Sequence, residues 1–245
     1  MSFMSKNWEN LLERINYYLR LKHIPIAVKL LRNIEDVPKE ARILKSTYTF
    51  CQFNAFSRLY ERIVVTTKDN LMCPWARYGF GFDILPATYR IVIARTDEDI
   101  NKFFDNLPRI QQGKIQAIVQ SPLNKYDRLF DSPPSLVLVT VNPAQMMRLL
   151  NSFVWLNGER VESRNAAHCG ICNEAVIAPY LSNKVHVAFP CYGGRTFGQY
   201  ADDELILAIP GNLFNDHLIT ALKNTHDFFP YPIRQRVVSQ ETFMF

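Results

Sequence analysis

The 245 residues contain no phosphate-loop pattern, no Gly-x-Gly-x-x-Gly and no Gly-x-Ser-x-Gly. A glycine cradle for nucleotide phosphates, a dinucleotide-binding turn and a serine-hydrolase elbow therefore have no support in the sequence. A dense basic tract is also missing. Against 23 Asp and Glu stand 28 Lys and Arg, spread along the chain, for a net charge of +5. That balance does not call for nucleic acid, and no such partner is expected. The N-terminal region lacks a basic stretch followed by an uninterrupted apolar run. From Trp8 to Leu21 the pattern is broken by Glu9, Asn10, Glu13, Arg14 and Asn16. Neither a signal peptide nor a membrane span is expected, and the chain reads as cytoplasmic. In that compartment structural disulfides are rare, so the five cysteines are read as free, metal-bound or catalytic.

What is present is ordinary globular material: 48% hydrophobic and 21% charged residues, with 17 Phe and 11 Tyr to fill a core. The length fits one compact domain over residues 1–245, or two intimately packed halves. Helical spacing predicts an amphipathic helix over 6–21, through Trp8, Leu11, Leu12, Ile15, Tyr18 and Leu19. Ile26 to Leu31 reads as a strand, with Lys29 taken as a strand-edge lysine reaching solvent. Further strands are expected at 62–67, 90–94, 115–120, 135–141, 184–189 and 204–209. Between them lie helix starts: Cys51, Cys73-Pro74, Thr96-Asp97-Glu98-Asp99, Asn142-Pro143, Cys172 and Pro210-Gly211-Asn212. The alternation predicts an α/β (or α+β) fold, mixed sheets with flanking helices, some strands pairing antiparallel.

Two cysteine blocks can be laid on each other. Cys51-Gln52 matches Cys172-Asn173, each leading a short apolar helix that ends near a tyrosine, Tyr60 or Tyr180. Then come Ile63-Val64-Val65 and Val185-His186-Val187. Cys73 has Arg77 four residues on, and Cys191 has Arg195 four residues on. A loop insertion at Thr67–Leu71 accounts for the unequal separations. The reading is an internal duplication, with halves at about 22–122 and 135–226 related by a pseudo-twofold, and the charged, proline-containing loop 123–134 between them. The cleft between such halves is where a small-molecule or cofactor site is expected.

If equivalent cysteines meet about that axis, Cys51, Cys73, Cys172 and Cys191 form a four-thiolate site. Soft thiolates select zinc or iron–sulfur clusters. Structural zinc favours closely spaced cysteine pairs, and only Cys169-x-x-Cys172 has that spacing. Wide spacing on a full-sized fold points instead to a buried cluster, most simply [4Fe–4S], able to pass an electron or polarise a substrate oxygen. Arg77 and Arg195 are candidates for holding the carboxylate of a small anionic substrate. Zinc, a small-molecule-binding module without a cluster, and a thiol-redox protein using Cys169 and Cys172 stand as alternatives. A c-type haem site is excluded because Asn173 occupies the histidine position. His168 reads as a surface histidine. Asp202-Asp203-Glu204 reads as an acidic turn before a strand, needing no function. Each cysteine alone is more simply a small buried hydrophobe. The partner is read as a small molecule or a redox protein, with room for a homo-oligomer.

Seven ordered motifs carry a family resemblance: Pro25-Ile26-Ala27-Val28-Lys29, Phe50-Cys51-Gln52, Cys73-Pro74, Asn142-Pro143-Ala144-Gln145, Cys172-Asn173-Glu174-Ala175, Pro190-Cys191-Tyr192-Gly193 and Asp202-Asp203-Glu204-Leu205. From about Leu21 to Pro232 the chain resembles the uncharacterised ArCR family, a domain of unknown function found mainly in archaea and anaerobic bacteria. The resemblance implies cysteines at positions 51, 73, 172 and 191, with Cys169 an addition in this chain. An anaerobic family with four cysteines suits an oxygen-sensitive cluster. The resemblance implies no substrate.

Overall fold

The computed structural model describes residues 7–84 and 94–228. Helices and strands alternate as α1 (Trp8–Leu19), β1 (Ile26–Leu31), β2 (Arg42–Ile43), α2 (Phe50–Tyr60), β3 (Val64–Thr67), α3 (Pro74–Gly79), α4 (Asp97–Asp105), β4 (Ala117–Pro122), β5 (Leu136–Val141), α5 (Pro143–Asn157), a π-helical segment (Gly170–Ile177) running into α6 (Ala178–Ser182), β6 (His186–Ala188), α7 (Tyr192–Thr196), β7 (Leu205–Pro210) and α8 (Asp216–Phe228). The strand proposed at 90–94 falls largely outside the described residues.

Side-chain chemistry starts the helices where the sequence places them. Asn7 Oδ1 accepts the Asn10 N–H at 2.9 Å to open α1. Thr49 with Gln52, and Asn142 with Gln145, form reciprocal capping boxes on α2 and α5. Pro143 and Pro74 take the first helical positions of α5 and α3, where their missing N–H groups have no intrahelical role.

The seven strands form one sheet in the order β2-β3-β4-β1-β5-β7-β6. Every pairing is antiparallel except β2 with β3. Leaving β2 aside, the order runs β1, β4, β3 outward on one side and β5, β7, β6 outward on the other. The fold is therefore a mixed α/β sandwich of three layers. Central strands buried on both faces explain why β1, β5 and β7 are apolar apart from Lys29 and Thr140. Alternation then sorts the side chains. Ala27, Val137, Val139, Leu207 and Ile209 face a layer made by α1, α5 and α8. Ile26, Val28, Leu30, Leu136, Leu138, Ile206 and Ala208 face the opposite layer, which holds α2, α3 and the π-helical segment. The cysteines belong to this second layer.

Several sequence expectations shift. Lys29 is not on a sheet edge, because β1 is central. Its Nζ donates to Ser132 Oγ at 2.8 Å and to the Pro133 carbonyl at 2.7 Å, and burial lowers its pKa. Met147 lies on the outer side of α5, 43% exposed, while Met146, Leu149 and Phe153 pack inward. The last helix begins at Asp216 instead of 212, since Pro210 first accepts turn bonds from Leu213 and Phe214. No helix among the described residues is long and apolar enough to cross a membrane.

Candidate functional site: five converging thiols

All five cysteines are free thiols. Four stand at helix beginnings on the same face of the sheet. Cys51 is in the first turn of α2, Cys73 caps α3, Cys169 precedes the π-helical segment and Cys191 caps α7. Cys172 lies inside the π-helical segment and is buried, as is Cys51; Cys73, Cys169 and Cys191 are half-buried.

The structure brings Cys51 on α2 and Cys191 at the start of α7 together. Their side chains share a hydrogen bond in which the Cys51 S–H donates and the Cys191 sulfur accepts. This bond lowers the Cys191 pKa to about 5, against a burial that would raise it, with further help from the N–H groups of Gly194, Gly170 and Gly193. The same bond, then burial and the neighbouring thiols Cys191, Cys172 and Cys73, push Cys51 up. Cys73 is pushed up to about 11, chiefly by burial and by Cys172, although the N–H groups of Ala76 and Trp75 work the other way. Cys172 is pushed up by donating to the Cys169 sulfur and by burial; its Sγ also stands 3.6 Å from the Cys169 carbonyl oxygen. Among the described residues, no three His, Cys, Asp or Glu side chains are drawn together, as they stand, into a metal-holding group.

The backbone is shaped to permit this. The turn from β6 into α7 passes so close to the π-helical segment that a Cβ on Gly170 would lie 2.0 Å from the Phe189 carbonyl oxygen. Only glycine fits there, and its N–H thereby reaches Cys191. Gly193 faces Cys51, whose Sγ would sit 3.6 Å from an added Cβ. Cys169 itself is left-handed, with φ 58°, an uncommon conformation for a residue with a Cβ.

Arg77 and Arg195 are placed alike but are already engaged. Each donates its backbone N–H to the carbonyl of the cysteine four residues earlier, at 3.0 Å. The Arg77 guanidinium pairs with Asp83 and donates to the carbonyls of Lys68 and Leu71. The Arg195 Nη1 donates to the Ala201 carbonyl at 2.6 Å and lies 3.7 Å from Asp202 Oδ1. His168 is exposed, against the edge of Phe103.

Two buried polar groups were not visible in the sequence as parts of this region. Glu174, 4% exposed, accepts the N–H groups of Ala166 and Ala167 on Oε1, at 2.6 and 3.1 Å. It thus holds the segment leading into Cys169. Burial raises its pKa, and Cys191 adds to the rise. The second group centres on Arg58, 3% exposed on α2. Its Nη2 donates to the Gly198 and Gln199 carbonyls at 2.7 and 3.1 Å, its Nη1 is 3.5 Å from Glu204 Oε2, and its guanidinium lies 4.0 Å from the Tyr200 ring centre. Glu204, read from the sequence as part of an acidic turn needing no function, is buried and also accepts from His23, Lys22 and Ala201. Tyr200 donates to Asn54 Oδ1 at 2.8 Å, and Asn54 to Gln120 Oε1 at 3.1 Å. Together these bonds fasten α2, and so Cys51, to the segment following α7. A lone arginine in a helix gives no sequence signal of such a role.

The model of the uncharacterised ArCR family (domain of unknown function 169) matches residues 14–218, and the chain belongs to that family. It is 24% identical over 199 residues to the uncharacterized protein MJ0308 of Methanocaldococcus jannaschii, an alignment covering 78% of this chain and 83% of that protein. No solved structure matches the chain.

Proposed function

We propose that this member of the ArCR family is a metal-cluster protein, with Cys51, Cys73, Cys172 and Cys191 as the ligands and [4Fe–4S] as the cluster. The observation that carries the reading is the convergence of these four cysteines, from both halves of the sheet, into mutual hydrogen-bond or electrostatic reach. Such a set of soft donors suits iron–sulfur or zinc. The donors approach without yet forming a closed group, so binding would turn the thiols inward and release their protons. The Cys51 S–H first, and then the N–H groups of Gly194, Gly170 and Gly193, lower the Cys191 pKa to about 5. When bound, a cluster would supply electron transfer or Lewis acidity. The chain's own residues do the rest. Glycine N–H groups of 170, 193 and 194 would offset thiolate charge, and the Arg58–Tyr200–Asn54 bonds would fix α2 against the second half. The mirrored strand order on either side of the β1–β5 pair supports the duplicated halves.

A small anionic molecule is the proposed substrate class. Arg195 would meet it more readily than Arg77, whose guanidinium is paired with Asp83. Anaerobic purification followed by iron, sulfide and zinc analysis tests the reading. A coloured protein with stoichiometric iron and sulfide is expected. A colourless protein without either would sink it, and stoichiometric zinc would favour a zinc site on the same thiols. The contact of Cys172 with Cys169 favours a second reading, a dithiol redox protein. Full activity after Cys169→Ser would rule that out.

A further inference from the structure

We propose that residues 164–169 form a strap over the first turn of the π-helical segment, that Glu174 is its latch, and that its opening decides access to Cys172. Cys172 is one of the ligands in the metal reading, and the inference rests on that reading for what the strap would admit, a metal ion.

The strap is irregular chain in a strained shape. Residues 164–168 belong to no helix or strand and are exposed. Ala167 (φ 54°) and Cys169 (φ 58°) are both left-handed although each carries a Cβ. Residues keep that conformation where their surroundings impose it, and they gather at clamps and switches. Here one buried side chain supplies the clamp. Glu174 Oε1 accepts the N–H groups of Ala166 and Ala167, at 2.6 and 3.1 Å. The carboxyl is 4% exposed, whereas the two alanines it holds are exposed. Its Oε2 is buried and makes no hydrogen bond, so both bonds the carboxyl makes go to the strap. A lighter contact adds to them: the His168 ring packs against Phe103, with centres 6.0 Å apart.

The turn beneath carries Cys172. It is 4% exposed, and its Sγ lies 3.6 Å from the carbonyl oxygen of Cys169, the last residue of the strap. Next to this turn the Phe189 carbonyl packs on Gly170 with no room for a Cβ, which would lie 2.0 Å from it. The strap instead hangs on two hydrogen bonds from one carboxyl. It is therefore the part that opens. Parting of those two bonds also frees Ala167 and Cys169 from the left-handed region, so latch and strain release act together. A strap opened in this way uncovers the first turn of the π-helical segment while the sheet and α2 stay in place.

The test uses the full chain, reduced and freed of metal under anaerobic conditions. Cys172 and Cys51 are labelled with iodoacetamide and followed by peptide mapping, each rate divided by its rate in denaturant. Amide exchange of Ala166 and Ala167 is followed in the same protein. In wild type, Cys172 should be protected to within about threefold of the two amides, because one opening exposes all three. Cys51, buried on α2, should be protected roughly tenfold more, since only wider unfolding reaches it. In Glu174→Ala, labelling of Cys172 should rise by roughly tenfold or more with Cys51 unchanged. Glu174→Gln keeps an acceptor oxygen and should label more slowly than Glu174→Ala. Amides that exchange freely while Cys172 stays protected would overturn the proposal, as would an unchanged Cys172 rate in Glu174→Ala. Cys51 rising in step with Cys172 would overturn it too, because the whole fold would then be loosening. If Glu174→Ala does not fold, judged by its far-ultraviolet dichroism, the wild-type comparison decides. Iron uptake is scored separately. A protein that labels as described but takes up no iron fails the metal reading alone. One that takes up iron while Cys172 labels alike in wild type and Glu174→Ala fails this proposal alone.

Discussion

The turns that carry Cys73 and Cys191 are built alike and hold their thiols in opposite states. Each cysteine caps a short helix, each carbonyl accepts an arginine N–H four residues on, and each sulfur receives N–H groups from the second and third residues that follow. Those two donors alone leave Cys73 pushed up to about 11, because burial and Cys172 outweigh them. Cys191 drops to about 5 because it gains two more donors: the S–H of Cys51 from α2, and the N–H of Gly170 from the π-helical segment. The helix cap is therefore not what makes a thiolate here. Inter-element contacts make it, and they depend on a glycine where the chain crosses itself within 2.0 Å of any added Cβ.

The comparison breaks most completely at the level of metal. Cys191→Ser or Cys172→Ser should abolish iron uptake on anaerobic reconstitution, read by iron and sulfide content, while Cys169→Ser retains it. Retention by either of the first two variants would remove them from the ligand set. Next in size is thiol reactivity. In the reduced, metal-free protein at pH 7, Cys191 should be alkylated roughly tens of times faster than Cys73, its far larger thiolate fraction being mostly offset by lower nucleophilicity. The Cys191 rate should fall as pH drops through about 5, and the Cys73 rate should rise only towards pH 11. Cys51→Ala, which removes the side-chain donor, should move the Cys191 midpoint upward.

Stability effects come after these. Glu204→Gln should cost about 3 kcal/mol by leaving Arg58 buried and its charge uncompensated, measured by denaturant unfolding at pH 7. Burial acts to raise the Glu204 carboxyl, but Ala201, His23, Lys22 and Arg58 hold it below its ordinary 4.5. Its contribution is therefore complete above pH 4.5 and is lost as pH falls through the folded value, so wild type and variant should converge in acid. Gly170→Ala should cost about 2 kcal/mol through the Phe189 carbonyl clash and raise the Cys191 midpoint. Thr49→Ala, which removes a cap shared by no thiol bond, should cost about 1 kcal/mol and leave the Cys191 rate unchanged.

Local signals in the sequence were legible where the cause of structure is itself local. Asn142-Pro143 and Thr96 dictate helix starts through caps a few atoms away, and the apolar runs of β5 and β7 mark them as strands. The central place of β1 was not legible, because a lysine in a run reads as an edge until a carbonyl such as that of Pro133 is known to await it. On α2 the spacing suggests one apolar face through Phe53, Phe56, Leu59 and Tyr60. Phe53 is buried, Phe56 and Leu59 are half-buried and Tyr60 is exposed, while the buried side also carries Asn54, Ser57 and Arg58, whose partners lie on β4 and beyond α7. Of the site, the sequence pairs Cys51 with Cys73 and Cys172 with Cys191 by their order in each half. A contact between distant segments sets Cys51 beside Cys191 instead, while the sequence-adjacent Cys169 and Cys172 stay neighbours. Cys169, an addition to the family's cysteine pattern, is a neighbour of Cys172 in space.

The middle of the sheet has a mechanical consequence. β1 and β5 are in register over only three residues each, Ile26–Val28 against Leu136–Leu138, while each pairs over six with its outer neighbour. Beyond that short overlap the join is continued by side chains, Ser135 Oγ accepting the Leu30 N–H and Lys29 reaching Ser132 and Pro133. The molecule therefore has a fault line down its centre. Tension applied across the sheet would concentrate there, and amide exchange along β1–β5 should outpace that along β1–β4 and β5–β7. The thiol contact between Cys51 and Cys191 bridges the same fault, as a rivet set across a seam.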